Sequence, residues 1–317
     1  MTNAFHKAKS KLWVLGRLNE PRTDLRSAGR ERSSSAEFGA KAGTFETRGQ
    51  VRCEDGVRQA ALLRACADPS ALLSAKAAEL ARRLKPPKRA GTVVDSFASA
   101  KSFRVFRRIF AGHVLDLVAQ VPKPISLYTI VTAEWRIKGC ELLKMRPKLL
   151  LEQFRAQLNR RGLGKLSGWL VASVHGDFDP DTGTFQIHLH VIAVGDVRFA
   201  IEQLRASPRY KPGEIKRPIL RRNASDLKRR VPYYVGQLFW PMRVPLSGGG
   251  RSPRRRLPPT QLVDWLLWMD KQSFGDLVWL HGCRIEGGKL VAKRSPDEAW
   301  NSRRSRRSRP THGESVA

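Results

Sequence analysis

The segment from Ser167 to Val194 predicts a β-hairpin, and this hairpin constrains the fold of the chain most strongly. The runs Ser167 to Val174 and Thr184 to Val194 are rich in β-branched and apolar residues, which favour strands. Between them, the run DFDPDTG from Asp177 to Gly183 is typical of a tight turn, because Asp, Pro and Gly adopt turn conformations readily.

Three of the seven histidines, His175, His188 and His190, fall within this hairpin. Alternate side chains of a strand share a face, so His188 and His190 project to one side about 6.6 Å apart. If the hairpin is symmetric about a point between Asp181 and Thr182, His175 lies directly opposite His188, with Cβ atoms about 5 Å apart. A register shift by one residue would turn His175 away.

The three imidazoles predict a site for one divalent metal ion. Imidazole nitrogens suit Mn²⁺ or Zn²⁺ better than Mg²⁺, which prefers oxygen ligands. Three protein ligands leave coordination positions open, so the ion could act as a Lewis acid on a phosphate oxygen. The alternative is that these are ordinary polar residues on a solvated strand face, as we expect for His6, His281 and His312, whereas His113 belongs to a helix.

The segments around the hairpin predict an α+β fold. We expect a strand at Ile125 to Trp135, a basic loop through Arg222, a helix beginning at Asn223 and a late strand at Leu277 to Ile285. Further helices are predicted at 57–84 with a break near Pro69, 99–119, 144–161, 197–206 and 260–274. This order predicts an antiparallel sheet with helices packed on one face and the other face free for a ligand.

Composition shifts divide the chain into six predicted regions. They are an irregular basic segment at 1–54, a helical region at 55–120, a core at 121–242, a flexible basic linker at 243–259, a helix and strand completing the core at 260–295, and an Arg/Ser-rich tail at 296–317. The linker and the tail concentrate arginine, which would contact phosphates without reading base sequence.

The net charge of +31, from 59 basic and 28 acidic residues, predicts a nucleic-acid partner. No apolar run approaches the roughly 18 residues that span a bilayer, so we expect no membrane association. The four cysteines show no paired spacing, and no secretion signal is evident, so we expect a cytoplasmic protein in a reducing compartment.

Two of the four tyrosines are adjacent, at Tyr233 and Tyr234. In a helix through this stretch, Tyr234 shares the apolar face with Leu227, Val231 and Leu238. Tyr233 lies about 100° away, so the two hydroxyls are not expected to address one site.

Three ordered stretches resemble the motifs of the HUH endonucleases, specifically the rolling-circle replication initiators. They are LYTIVT (127–132), GWLVASVHGDFDPDTGTFQIHLHVIAVG (168–195) and YYVGQ (233–237), and the resemblance covers about residues 120 to 245. It implies a five-stranded antiparallel sheet that carries a divalent ion, Mn²⁺ or Mg²⁺, on its open face, and a helix that presents a tyrosine to it.

By motif match, His188 and His190 are the paired metal ligands and His175 is the third. Tyr234 matches the nucleophile, with Tyr233 in reserve. The family's tyrosine is usually followed three residues later by lysine, and this chain has Gln237 there.

The resemblance implies nicking of one DNA strand at an origin, with a 5′-phosphotyrosine intermediate and a free 3′-OH, to initiate rolling-circle replication of a plasmid or phage in bacteria. The expected partners are single-stranded or cruciform origin DNA and a host helicase and polymerase, because the chain has no P-loop pattern. The basic residues expected to bind DNA near the site are Arg221, Arg222, Lys228, Arg229 and Arg230.

Two other functions fit the same sequence. A single-strand transposase or a relaxase would use the same histidines and tyrosine. A non-catalytic nucleic-acid-binding protein would instead stack bases on exposed aromatic residues of its sheet.

Overall fold

The computed structural model describes residues 45–67, 73–85, 94–120, 124–243 and 254–293. The predicted tail at 296–317, most of the predicted irregular segment at 1–54 and most of the predicted linker at 243–259 lie outside these residues. The helices are α1 Arg48–Cys66, α2 Ser74–Leu84, α3 Ala100–Ala119, α4 Pro147–Arg160, α5 Val197–Gln203, α6 Leu227–Tyr234, α7 Pro259–Lys271 and α8 Phe274–Leu277. The strands are β1 Ile125–Lys138, β2 Gly168–Asp179, β3 Thr184–Gly195, β4 Ile219–Asn223, β5 Met242–Arg243, β6 Arg254–Arg255, β7 Val278–His281, β8 Cys283–Glu286 and β9 Lys289–Ala292.

The described chain is an α+β fold built on an antiparallel sheet, as predicted. Five strands lie in the order β4-β1-β3-β2-β7, and each pair of neighbours is antiparallel. The short strands β5 and β6 extend the sheet beyond the end of β2, and β8 and β9 form a separate hairpin. None of the described helices is long and apolar enough to cross a membrane.

The β2-β3 hairpin has the predicted register, and His175 pairs with His188. The turn is ordered by Asp179, whose carboxylate accepts hydrogen bonds from the Asp181 amide at 3.0 Å and the Thr182 hydroxyl at 2.8 Å. Gly183 closes it with φ +64°, in the left-handed region that glycine tolerates.

Helices cover both faces of the sheet, so the prediction of one free face is wrong. Helices α5 and α4 cover the face away from the histidines. Glu202 of α5 accepts a hydrogen bond from the Tyr128 hydroxyl at 3.0 Å, and the ring of Phe154 in α4 packs edge-on against Trp279. On the histidine face lies α6, with α3 packed against it. Helix α3 covers apolar surface of α6 that the sheet does not cover.

The first helix begins earlier than the sequence predicts. A capping box between Thr47 and Gln50 starts α1 at Arg48, inside the segment expected to be irregular. Helix α1 ends at Cys66 and α2 begins at Ser74, and the predicted break near Pro69 lies outside the described residues. The predicted aromatic stripe of α3 is also confirmed, since Phe106 and Phe110 pack on each other and on Phe274.

Two other boundaries differ from the prediction. The stretch ending at Arg222 is the edge strand β4 rather than a loop, because its backbone pairs with β1 although three of its five side chains are exposed. The late strand is divided at Gly282, where φ is +67° and a Cβ would lie 2.2 Å from the Gly168 carbonyl oxygen. The chain therefore turns out of the sheet after β7 into the β8-β9 hairpin.

Candidate metal centre and tyrosine pair

His175, His188 and His190 form a compact buried cluster. Their exposed fractions are 0%, 3% and 2%. The ring centroid of His175 lies 4.0 Å from that of His190 and 5.7 Å from that of His188, and the last two are 5.0 Å apart. Strand alternation on β3 and the cross-strand pairing with β2 bring the three rings together, as the sequence predicts.

The cluster fits a divalent metal ion. Each histidine offers one ring nitrogen, and the three nitrogens lie within 4.8 Å of one another. A shared ion at about 2.1 Å from each nitrogen requires separations of about 3.5 Å between the nitrogens. A buried set of imidazoles favours Mn²⁺ or Zn²⁺ over Mg²⁺.

A carboxylate from the predicted turn segment lies beside the cluster. Asp177 belongs to β2, is 4% exposed, and has its Oδ2 3.8 Å from Nδ1 of His188. The same oxygen forms an ion pair with Arg243, whose side chain is 61% exposed. The signal was available in the sequence, because Asp177 stands two residues after His175 and therefore shares its strand face.

Both tyrosines contact the cluster, which corrects the expectation that only one could address it. The ring centroids of Tyr233 and Tyr234 lie 4.7 Å and 4.6 Å from that of His190, and Tyr233 is also 5.8 Å from His175. Helix α6 ends at Tyr234 and does not continue to Leu238. The two tyrosine rings lie next to each other, with centroids 6.0 Å apart, and both pack against the His190 imidazole.

The two tyrosines differ in environment. Tyr234 is 3% exposed, and burial raises the pKa of its hydroxyl above the ordinary 10, although the Thr129 side chain and Arg222 oppose this shift. Tyr233 is partly exposed. The phenol that matches the motif is therefore the less accessible of the two.

The predicted DNA-binding residues separate into three groups. Arg222 pairs with Leu127 on the histidine face of the sheet, and Arg222 and Arg230 both lie close enough to Tyr234 to lower its pKa. Arg221 faces the other way and lies 3.9 Å from Glu202 of α5. The structure also leaves Lys228 and Arg229 exposed on α6.

The segment after Tyr234 is held by buried contacts that the sequence did not reveal. Arg58 of α1 is 0% exposed and donates hydrogen bonds to the carbonyl oxygens of Leu238 at 2.7 Å and Ala98 at 2.8 Å. Trp240 packs over Gly176, where a Cβ would lie 2.5 Å from its indole ring. Gln237, at the position where the resemblance expects lysine, is buried.

Comparison with known proteins finds no matching family model, no matching curated protein and no matching solved structure.

Proposed function

We propose that this protein is a metal-dependent endonuclease that nicks one strand of DNA through a covalent phosphotyrosine, in the manner of rolling-circle replication initiators. The observation that carries the proposal is the position of two tyrosine rings, Tyr233 and Tyr234, within 5 Å of the ring of His190 in a buried cluster of three histidines. Metal-assisted transfer of a phosphodiester to a tyrosine needs a nucleophile next to a bound metal ion, and this arrangement places both in one site.

The three imidazoles would hold the ion through one nitrogen each. When bound, the ion supplies a Lewis acid that polarises the scissile phosphate. Tyr233 is the better candidate for the nucleophile, because it is partly exposed and contacts both His175 and His190. Tyr234 is 3% exposed, and burial raises the pKa of its hydroxyl, so both access of a phosphate and formation of the phenolate are unfavourable there.

In the proposed step, the Tyr233 Oη forms a bond to the phosphorus and the bond from phosphorus to the 3′-oxygen breaks. The phenol loses a proton and the departing 3′-oxygen gains one, so the step is balanced. The 5′-phosphotyrosine conserves the phosphodiester for rejoining, and the 3′-OH is available to prime a polymerase. Arg222 and Arg230, beside the tyrosines, would bind the flanking phosphates.

A base-stacking module without catalysis has less support. It would need exposed aromatic residues on a sheet face. Among the described residues, the large apolar side chains that are exposed are Leu63, Leu149 and Phe199, and none of them lies on a strand.

The test incubates the purified protein with a pool of single-stranded DNA and Mn²⁺, with and without EDTA, and looks for a covalent adduct on a denaturing gel. We expect an adduct that EDTA prevents, that is lost in Tyr233→Phe and that persists in Tyr234→Phe. Tyr210→Phe is the matched control, because Tyr210 is buried at a distance from the histidines, against Gln157.

The outcomes separate the alternatives. If only Tyr234→Phe loses the adduct, the nucleophile is Tyr234, the tyrosine that matches the motif. An adduct that forms equally in both single variants would exclude both tyrosines. No adduct with any sequence in the pool, while binding persists, would contradict the nuclease.

A further inference from the structure

We infer that Asp177 is a positioning residue that holds His188 in the tautomer with its proton on Nδ1, so that Nε2 is the nitrogen offered to the metal, and that Arg243 modulates this effect. This inference rests on the metal site of the proposed function. It adds two residues, one on β2 and one on β5, to a site otherwise made of histidines and tyrosines.

The first support is that two hydrogen-bond acceptors lie near His188 Nδ1. Oδ2 of Asp177 lies 3.8 Å away, and the Gln186 carbonyl oxygen lies 3.4 Å away. A carbonyl oxygen only accepts, and so does an ionised carboxylate, so a proton on Nδ1 satisfies both. The lone pair then lies on Nε2. A short movement of the ring toward Asp177 would convert the contact into a hydrogen bond.

The second support is that Asp177 lies outside the set of possible ligands. The donor atoms that lie within 4.8 Å of one another belong to His175, His188 and His190 and not to Asp177. The residue is only 4% exposed. Burial of a charged carboxylate is unfavourable unless neighbouring groups compensate for the lost hydration, and His188 and Arg243 lie where they can do so. A carboxylate behind a histidine ligand fixes the orientation of the ring and increases its basicity.

The third support is the ion pair between Asp177 and Arg243. Arg243 is largely exposed, and its guanidinium contacts the same Oδ2 that faces His188. The cation draws negative charge away from His188, so it weakens the effect of Asp177 on the metal. Removal of either partner should therefore change metal affinity in opposite directions.

The experiment measures Co²⁺ binding to the full chain without DNA, from the visible absorption of the bound ion. We expect Asp177→Asn to weaken binding about 10- to 100-fold. We expect Arg243→Gln to strengthen it about 3- to 10-fold, because a positive charge near the dication is removed. Asp179→Asn is the matched control, since Asp179 lies on the same strand but its carboxylate bonds to the turn, and it should bind as the wild type does.

Opposite changes in Co²⁺ affinity in the two variants would show that Asp177 positions His188. If the ion pair were purely structural, either substitution would break it and both would change the affinity in the same direction. Equal affinity in Asp177→Asn and the wild type would overturn the role of Asp177. If Asp177→Asn does not fold, Arg243→Gln decides, and unchanged or weaker binding there would overturn the inference. Absence of saturable Co²⁺ binding in the wild type would overturn the metal site itself.

Discussion

His175 and His188 are cross-strand partners in the β2-β3 hairpin, with ring centroids 5.7 Å apart and both rings buried. A metal ion held between them would connect two strands by ligand bonds as well as by their backbone hydrogen bonds. The ring centroids of His190 and His175 are 4.0 Å apart, so the ion would also link His175 to a second residue of β3. The folded state should therefore bind metal much more tightly than the unfolded chain does.

Metal binding should raise the thermal stability. A ligand at 100 times its Kd adds about 2.7 kcal/mol, which corresponds to a Tm increase of about 5–10 °C for a domain of this size. Calorimetry with Mn²⁺ and with Co²⁺ measures the shift. The shift should disappear in His190→Ala and remain in His281→Ala, whose half-buried imidazole lies at the end of β7. A shift of equal size in both variants would place the metal elsewhere.

Arg222→Ala should weaken binding of single-stranded DNA more than Arg221→Ala. The two residues are adjacent on β4, but Arg222 lies on the histidine face and Arg221 lies against Glu202 on the other. Loss of one phosphate contact should reduce the slope of log K against log salt by about 0.7 for Arg222. Titrations at several salt concentrations measure this slope. Equal slopes for the two variants would show that the DNA does not follow the histidine face.

Gly176→Ala should destabilise the fold by about 1–3 kcal/mol, because its Cβ would lie 2.5 Å from the indole of Trp240. That indole is held between Trp268 and Phe185, with centroids at 4.8 Å and 5.9 Å, so it has little room to move. Gly56→Ala is the control. Gly56 lies inside α1 with no neighbouring atom within 4 Å of the added Cβ, and alanine there should stabilise by up to about 1 kcal/mol. Urea denaturation compares the two.

Arg58→Met should cost about 3–5 kcal/mol, because it removes one of two cations paired with the buried Glu54 carboxylate and leaves the carbonyl oxygens of Ala98 and Leu238 without this donor. The Arg58–Glu54 pair has a 2.9 Å contact and side-chain exposures of 0% and 1%. Arg82→Met removes a helical ion pair of similar spacing whose arginine is 73% exposed, and it should cost less than about 1 kcal/mol. Similar free energies of unfolding for the two variants would mean that burial does not determine the cost.

The fold should lose stability at alkaline pH. Burial raises the pKa of Tyr128 and of Tyr210 to about 12, and raises that of Tyr234 as well. In the unfolded chain these phenols ionise near pH 10, so the unfolded state releases protons first. The stability they contribute is complete below about pH 10 and falls as the pH rises toward 12. Tyrosinate absorbance during a pH titration should show that ionisation coincides with unfolding.

Tyr210→Phe provides the check on that prediction. The variant removes one phenol with a raised pKa, so unfolding should move to higher pH, although loss of the hydrogen bond to Gln157 should cost about 0.5–1.5 kcal/mol at neutral pH. If the alkaline unfolding transition of the variant stays at the same pH, the burial of Tyr210 does not contribute to alkaline unfolding.

The hairpin was predictable because its information is local. Strand propensity, turn residues and two-residue alternation predict the pairing of His175 with His188, given a symmetric turn, without reference to the rest of the chain. The buried state of the cluster was not predictable, because it depends on α6 and α3, which are distant in sequence. The same holds for Arg58, whose partners Ala98 and Leu238 lie 40 and 180 residues away.

The tyrosine pair shows how a correct local pattern led to a wrong inference. The helical angle of about 100° between Tyr233 and Tyr234 describes directions from the helix axis and not distances to a third group. Because α6 lies close to His190, two side chains about 100° apart both contact one ring. Edge strand β4 was not predicted for another reason. Its exposed arginines are typical of a loop, but its backbone pairs with β1.

The symmetric hairpin also determines which changes in chain length the site tolerates. His175 and His188 are separated by a turn whose residues, from Pro180 to Gly183, pair with no strand. Extra residues inserted there would lengthen the loop and leave the strand pairing unchanged. A single residue inserted between Gly176 and Asp179 would instead shift His175 onto the opposite side of the sheet relative to His188. Homologous chains that share this site should therefore vary in length at the turn and keep both strands free of single-residue insertions.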